Sequence, residues 1–136
     1  AAMIPIGTAL QTTGLSDLIS SNISLLAADM SLFWLLFLIL IITMVTTDII
    51  NNAATAVIMA PISAGIGLEL GYAIEPFLMV VAVGASCAFL TPIGHQCNTV
   101  VMGPGNYKFT DYWRLGLPLD ILIIAVSIPM ILFVWT

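Results

Sequence analysis

Two short polar stretches in an otherwise apolar chain are where chemistry could occur: Thr46-Thr47-Asp48-Ile49-Ile50-Asn51-Asn52 and Thr91-Pro92-Ile93-Gly94-His95-Gln96-Cys97-Asn98. The amides of Asn51, Asn52 and Asn98 donate and accept hydrogen bonds, so they can meet an anion or a cation. A helix interrupted at such a stretch offers N–H groups at one new end and bare carbonyls at the other. It can hold an anion and a cation side by side with no ionised side chain. Asp48 is an acid in apolar surroundings: a functional candidate if it lies at membrane depth, otherwise a helix-capping or interfacial carboxylate. His95 is the single histidine. Burial or a helix terminus could bring its protonation into a working range, and a hydrogen-bonded core histidine is the plainer reading. Cys87 and Cys97 have neither zinc-knuckle nor redox spacing and read as small apolar packing residues.

The elements that position these residues must work without water around them. Of 136 residues, 61% are hydrophobic and 7% charged, and the mean hydropathy is +1.18, which leaves no polar coat for a water-soluble globule. Ile49 to Leu68 and Pro76 to Tyr107 carry no formal charge, and such stretches reach the ~18 apolar residues of a bilayer span. Two basic against seven acidic residues make no patch for a phosphate backbone, so nucleic acid is not an expected partner and a lipid bilayer is. The opening Ala1-Ala2-Met3-Ile4-Pro5 lacks the basic flank of a signal peptide and reads as an entry in mid-helix, hence as part of a larger protein.

The chain reads as an all-α polytopic membrane segment. Residues 1–28 give the end of a helix, stopped at Gly14, then an interfacial helix from Ser16 with Leu18, Ile19, Ile23 and Leu26 on its apolar side and Asp29 beyond it. Residues 30–68 form a hairpin. Its first arm, Met30 to Thr47, is roughly 27 Å long; its second, Ala53 to Ala64, contains Pro61 and meets Gly65-Ile66-Gly67, which leaves only about 18 Å of regular helix and favours a re-entrant loop over two full spans. Residues 76–103 form a broken helix. Pro76 to Phe89, with small residues at Gly84, Ala85, Ser86 and Ala88, runs into the second polar stretch, and a stub from Thr99 to Met102 ends at Gly103-Pro104-Gly105. Residues 116–135 form the last span, apolar from Ile121 to Trp135. Lys108 and Arg114 share the loop before it, which is expected in the cytoplasm, with Glu69, Glu75 and the turn near Asp29 outside.

Two broken apolar segments point to a transporter's binding site. The residues here also carry a resemblance. Thr47-Asp48-Ile49-Ile50-Asn51-Asn52-Ala53-Ala54-Thr55-Ala56, Gly84 through Gly94 and Asn98-Thr99-Val100-Val101-Met102-Gly103 resemble the second repeat of the divalent anion:sodium symporters of the ion transporter superfamily, which include the citrate transporter-like permeases. A branch with cytosolic TrkA-type regulatory domains is more similar still. The resemblance implies two inverted repeats, each with a re-entrant hairpin and a broken helix, meeting at a midplane site, and this chain would be the C-terminal one. It implies that Thr47, Asn52 and the Gly94 carbonyl surround a sodium ion, and that Asn51, Asn52, Ala53, His95, Gln96 and Asn98 face the substrate. Asn51, Asn52 and Ala53 stand where the family has Ser-Asn-Thr, and Gly94 to Asn98 replace Ala-Thr-Pro-Pro-Asn.

The expected function is secondary active transport of a small anion, coupled to sodium, in a multi-pass protein of a bacterial inner membrane. No cofactor is expected beyond sodium as the coupling ion. Expected partners are the N-terminal repeat of the same polypeptide, the anionic solute, the bilayer and, left open, a second copy in a homodimer. The alternatives are a sodium/proton antiporter or arsenite-type exporter with Asp48 or His95 carrying the proton, a membrane-embedded metal enzyme using His95 with Cys87 or Cys97, and a non-transporting membrane subunit.

Overall fold

The structure, a computed structural model, describes residues 9, 12–27 and 30–135, all of its regular elements being helices. The expected first helix and Asp29 lie largely outside the described residues. Ala9 and Thr12 are helical, and Gly14, at φ 69°, makes the left-handed turn that starts the next element. Six helices follow: α1 Leu15–Ala27, α2 Leu32–Ile49, α3 Asn52–Glu69, α4 Glu75–Ala85, α5 Gln96–Met102 and α6 Phe109–Trp135.

Because α2 is apolar all round, its pattern does not say which face packs. The structure buries Leu35, Leu36, Ile39, Leu40, Thr43, Met44, Thr47 and Asp48, one stripe of a 3.6-residue period. Phe33, Trp34, Leu38, Ile42 and Val45 stay exposed on the other side, a surface suited to lipid or protein and not to water. Ile50 and Asn51 turn the chain back into α3.

The second arm is not short. α3 runs through Pro61 and the two glycines to Glu69, so both arms have 18 residues, about 27 Å each, and arm length no longer argues for re-entry. The glycines are contact points. A Cβ at Gly65 would come within 2.6 Å of Ser20 Oγ on α1, and one at Gly67 within 2.9 Å of the Phe77 ring on α4. Small residues at these crossings let helices approach closely, the main source of packing energy where lipid replaces water.

α1 therefore lies along α3. Its inner side carries buried Ser20 with Ile19 and Ile23, while Leu18, expected on the apolar side, remains 61% exposed. α4 sits at the centre against α2, α3 and α6. Phe77, Val80 and Val81 of α4 join Leu35, Leu36, Ile39, Leu40 and Met44 of α2, Met59, Ile62 and Ile66 of α3, and Ile128 and Ile131 of α6 in one core. Gly84 touches Thr43 and Leu40, and the Ser63 hydroxyl donates to the Phe77 carbonyl at 3.1 Å.

α4 ends at Ala85, four residues before the expected Phe89, in a tightened turn in which Ser86 N–H donates to Val83 and Cys87 N–H to Gly84. The next regular helix starts at Gln96, so the expected break is present and spans residues 86–95. α6 begins at Phe109, ahead of residue 116, and continues through Pro118 and Pro129 for 27 residues. Arg114 thus lies inside α6 and not in a loop with Lys108. Asp111 Oδ2 accepts the Lys108 N–H at 2.8 Å, which caps this start. By length and composition, α2 and α6 can each cross a membrane.

Candidate functional site where the hairpin tip meets the broken helix

The two polar stretches meet. At the end of α2, Thr47 Oγ1 lies 3.0 Å from Asn52 Oδ1 and 3.0 Å from the Ala85 carbonyl at the end of α4. A hydroxyl has one hydrogen, and both neighbours are acceptors. Three oxygens from three segments thus crowd around a single proton.

Asp48 ties the tip to the break. Its Oδ1 accepts the N–H groups of Leu90 and Thr91 at 3.1 and 3.3 Å, and its own carbonyl accepts the Thr91 hydroxyl at 2.7 Å. Gly94 N–H donates in turn to Thr91 Oγ1 at 3.3 Å. A chain leaving a helix must find partners for its freed backbone groups where water is absent, and here the hairpin supplies them.

Gly94 lies flat against the tip. A Cβ there would fall 2.9 Å from the Thr47 carbonyl, 3.0 Å from Asp48 Cα and 2.8 Å from Ala88 Cβ. Asn52 and Gly94 therefore both pack on Thr47. The carbonyl that reaches the Thr47 hydroxyl, however, belongs to Ala85, which the sequence reading did not single out; a backbone ligand leaves no trace in side-chain identities.

The remaining candidates divide into two kinds. Asn51 caps α3, its Oδ1 accepting the Ala54 N–H at 2.8 Å. His95 is exposed and not a core residue; its Nδ1 accepts the Cys97 N–H at 3.2 Å and so caps α5. Asn98 donates through Nδ2 to the carbonyls of Ala88 at 2.8 Å and Thr91 at 3.2 Å, and its own carbonyl receives the Tyr112 hydroxyl at 2.7 Å. That amide holds the break closed. Ala53 and Gln96 are exposed, beside the caps. Cys87 is buried, its thiol 3.1 Å from the Val83 carbonyl, whereas Cys97 is exposed and is not a packing residue.

On the far side of the break, a cleft of about 350 Å³ between α5 and α6 is lined by Phe89, Val101, Leu115 and Leu119 with Asn98 and Tyr112 at its polar edge. Its walls are apolar, unlike the tip. The groups able to meet a hydrated solute are those exposed at the start of α3 and just before α5.

The profile described as the sodium:sulfate symporter transmembrane region matches residues 1–136, the whole chain. The chain belongs to the sodium:sulfate symporter family. It is 40% identical over 129 residues to the uncharacterized transporter YfbS of Escherichia coli, an overlap of 95% of this chain and 21% of the relative. It is 38% identical over 131 residues to the uncharacterized transporter sll0640 of Synechocystis, covering 96% of this chain and 21% of the relative. A protein named sodium/sulfate cotransporter 2 from Chlamydomonas reinhardtii is 29% identical over 128 residues, 93% of this chain and 14% of that one. The chain spans about a fifth of the length of the first two relatives. A symporter-family chain with apolar helices is a membrane protein, and the family's names are those of transporters, not enzymes.

One acid escaped the sequence reading of this symporter segment. Asp120 on α6 is 7% exposed, and its sealed Oδ1 has no hydrogen-bond partner among the described residues. An ionisable residue inside an apolar run was the available signal.

Proposed function

We propose that the complete protein is a secondary active transporter of a small anion, driven by sodium, and that this chain supplies the C-terminal half of its alternating-access site. The observation that carries the reading is the Thr47 hydroxyl held 3.0 Å from two acceptors, Asn52 Oδ1 and the Ala85 carbonyl, at the junction of the hairpin and the break. A sodium ion there would take Thr47, Asn52 and Ala85 as oxygen ligands, with Gly94 giving the close backbone approach. The polar groups beside it, exposed Asn51, His95 and Gln96 and half-buried Asn52, would face the anion together with exposed Ala53. Broken helices at a midplane site are the arrangement by which transporters hold an anion and a coupling ion together.

The names of the relatives favour an inorganic divalent anion of the sulfate class as the solute. The N-terminal repeat of the same polypeptide would cover the exposed tip. With Lys108 and the first turns of α6 in the cytoplasm, α6 would cross outward in a multi-pass protein of the bacterial inner membrane.

Uptake of radiolabelled sulfate by the full-length protein, with sodium replaced by choline, tests the reading. Asn52→Ala is expected to raise the half-saturating sodium concentration at least about tenfold, since losing even an outer-shell partner of a metal ligand costs that much. Wild-type uptake that ignores sodium, or an unchanged sodium response in Asn52→Ala, would overturn it.

A further inference from the structure

We propose that Tyr112 is a positioning residue for the anion: its hydroxyl, reaching from α6, seats α5 and with it His95 and Gln96. Among the described residues, α5 is the one helix that buries none of its own. Val100 and Val101 are exposed, so the apolar burial that fixes the other helices is missing here. An element with so few buried apolar contacts opens at low free energy. Its seat therefore depends on single polar bonds.

Most of those bonds are local. Asn98 Nδ2 donates to the carbonyls of Ala88 and Thr91, and the Thr99 hydroxyl donates to the Pro92 carbonyl at 2.6 Å, all three acceptors lying in the break next to α5. After α5, the N–H groups of Gly105 and Tyr107 turn back onto the carbonyls of Val101 and Met102. Among the described residues, only the Tyr112 hydroxyl bonds α5 to another helix, donating to the Asn98 carbonyl at 2.7 Å. The apolar cleft of about 350 Å³ separates α5 from α6 beside this bond, so no packed layer of side chains stands in for it. His95 and Gln96 go where α5 goes. The His95 carbonyl accepts the N–H groups of Asn98 and Thr99 at 3.1 and 3.4 Å, and its Nδ1 accepts that of Cys97. The Thr47 junction is held separately, through the grip of Asp48 on Leu90 and Thr91. Tyr112 thus governs the anion's partners and not the oxygens at Thr47.

That the anion lies beside His95 and Gln96 rests on the transport reading; that Tyr112 seats α5 does not. Amide hydrogen exchange of the purified full-length protein is therefore measured beside sulfate uptake. Tyr112→Phe removes the hydroxyl and keeps the ring against Tyr107, 6.2 Å away between centroids. Tyr107→Phe, which takes a hydroxyl from the exposed ring of the same pair, is the control. In Tyr112→Phe, exchange over residues 95–102 is expected to quicken about two- to tenfold, the weight of one neutral hydrogen bond, with α2 to α4 unchanged. Sulfate KM at saturating sodium is expected to rise at least about twofold as the seated fraction of α5 falls. The maximal rate and the half-saturating sodium concentration stay at wild type, and Tyr107→Phe matches wild type throughout. Wild-type exchange at α5 in Tyr112→Phe, faster exchange spread equally through α2 to α4, an unchanged KM or a loss confined to the maximal rate would each overturn the proposal. Were the wild type to show no sodium-driven uptake, the transport reading would fall, and exchange alone would decide whether Tyr112 seats α5.

Discussion

Asp48 and Thr91 grip each other at two points: the Thr91 hydroxyl donates to the Asp48 carbonyl at 2.7 Å while Asp48 Oδ1 accepts the Thr91 N–H at 3.3 Å. A residue at the end of one arm thus acts as the missing helical turn for another segment. The two interruptions are one structural unit, and each should fail when the other is altered.

Asp48→Ala should therefore cost more than a typical buried substitution. It strands the N–H groups of Leu90 and Thr91, each lost bond to a charged acceptor being worth about 1.5–3 kcal/mol. Asp48→Asn leaves one carbonyl oxygen for those donors and should fall between wild type and Asp48→Ala. Thermal unfolding of the full-length protein in detergent, with the three ranked in this order, is the check. Equal midpoints for Asp48→Ala and wild type would show that the break does not depend on this carboxylate.

Gly94→Ala tests the close approach itself. The added methyl would meet the Thr47 carbonyl at 2.9 Å, Asp48 Cα at 3.0 Å and Ala88 Cβ at 2.8 Å, and none of these is the end of a flexible side chain. Overpacking of this kind costs about 1–3 kcal/mol. Gly103→Ala is the matched control, since nothing lies within 4 Å of its new methyl. Gly94→Ala should lose stability and transport, and Gly103→Ala should retain both.

Particular residues show what could be read in advance. The hairpin, its turn near Asn51 and the break before Asn98 follow from polar residues in apolar runs, and all three are present. The length of α3 was misread because Pro61, Gly65 and Gly67 weaken a helix in water, yet among packed helices Gly65 and Gly67 are the sites where Ser20 and Phe77 fit. Which side of α2 packs could not be read, since Leu36 and Leu38 are the same residue yet opposite in burial. At the site, Thr47 and Asn52 announce themselves as polar side chains. The Ala85 carbonyl does not, because every residue has one.

Asn98 offers a sharper distinction between holding the break and touching the solute. Its Nδ2 donates to the carbonyls of Ala88 and Thr91, so Asn98→Asp sets a carboxylate against two acceptors while Asn98→Ala merely removes a donor. If the amide is a brace, Asn98→Asp should be the less stable of the two by about 1–3 kcal/mol, the cost of burying an unsatisfied or mispaired polar group. Differential scanning of both variants, without any solute, reads this directly. Equal stability combined with altered anion affinity would move Asn98 from brace to ligand.

The crossing of α1 on α3 gives the last prediction. A methyl at Gly65 would fall 2.6 Å from Ser20 Oγ and 3.2 Å from Ser20 Cβ, so Gly65→Ala must push α1 away or displace that hydroxyl. Ser20→Gly in the same chain removes both colliding atoms. Close neighbours of this sort are non-additive, with interaction energies of about 0.5–3 kcal/mol in double-mutant cycles. Gly65→Ala alone should destabilise, and the pair should recover part of the loss relative to the sum of the single changes. Additive single effects in thermal unfolding would mean that α1 and α3 do not meet at these two residues, and that α1 lies elsewhere in the assembled protein.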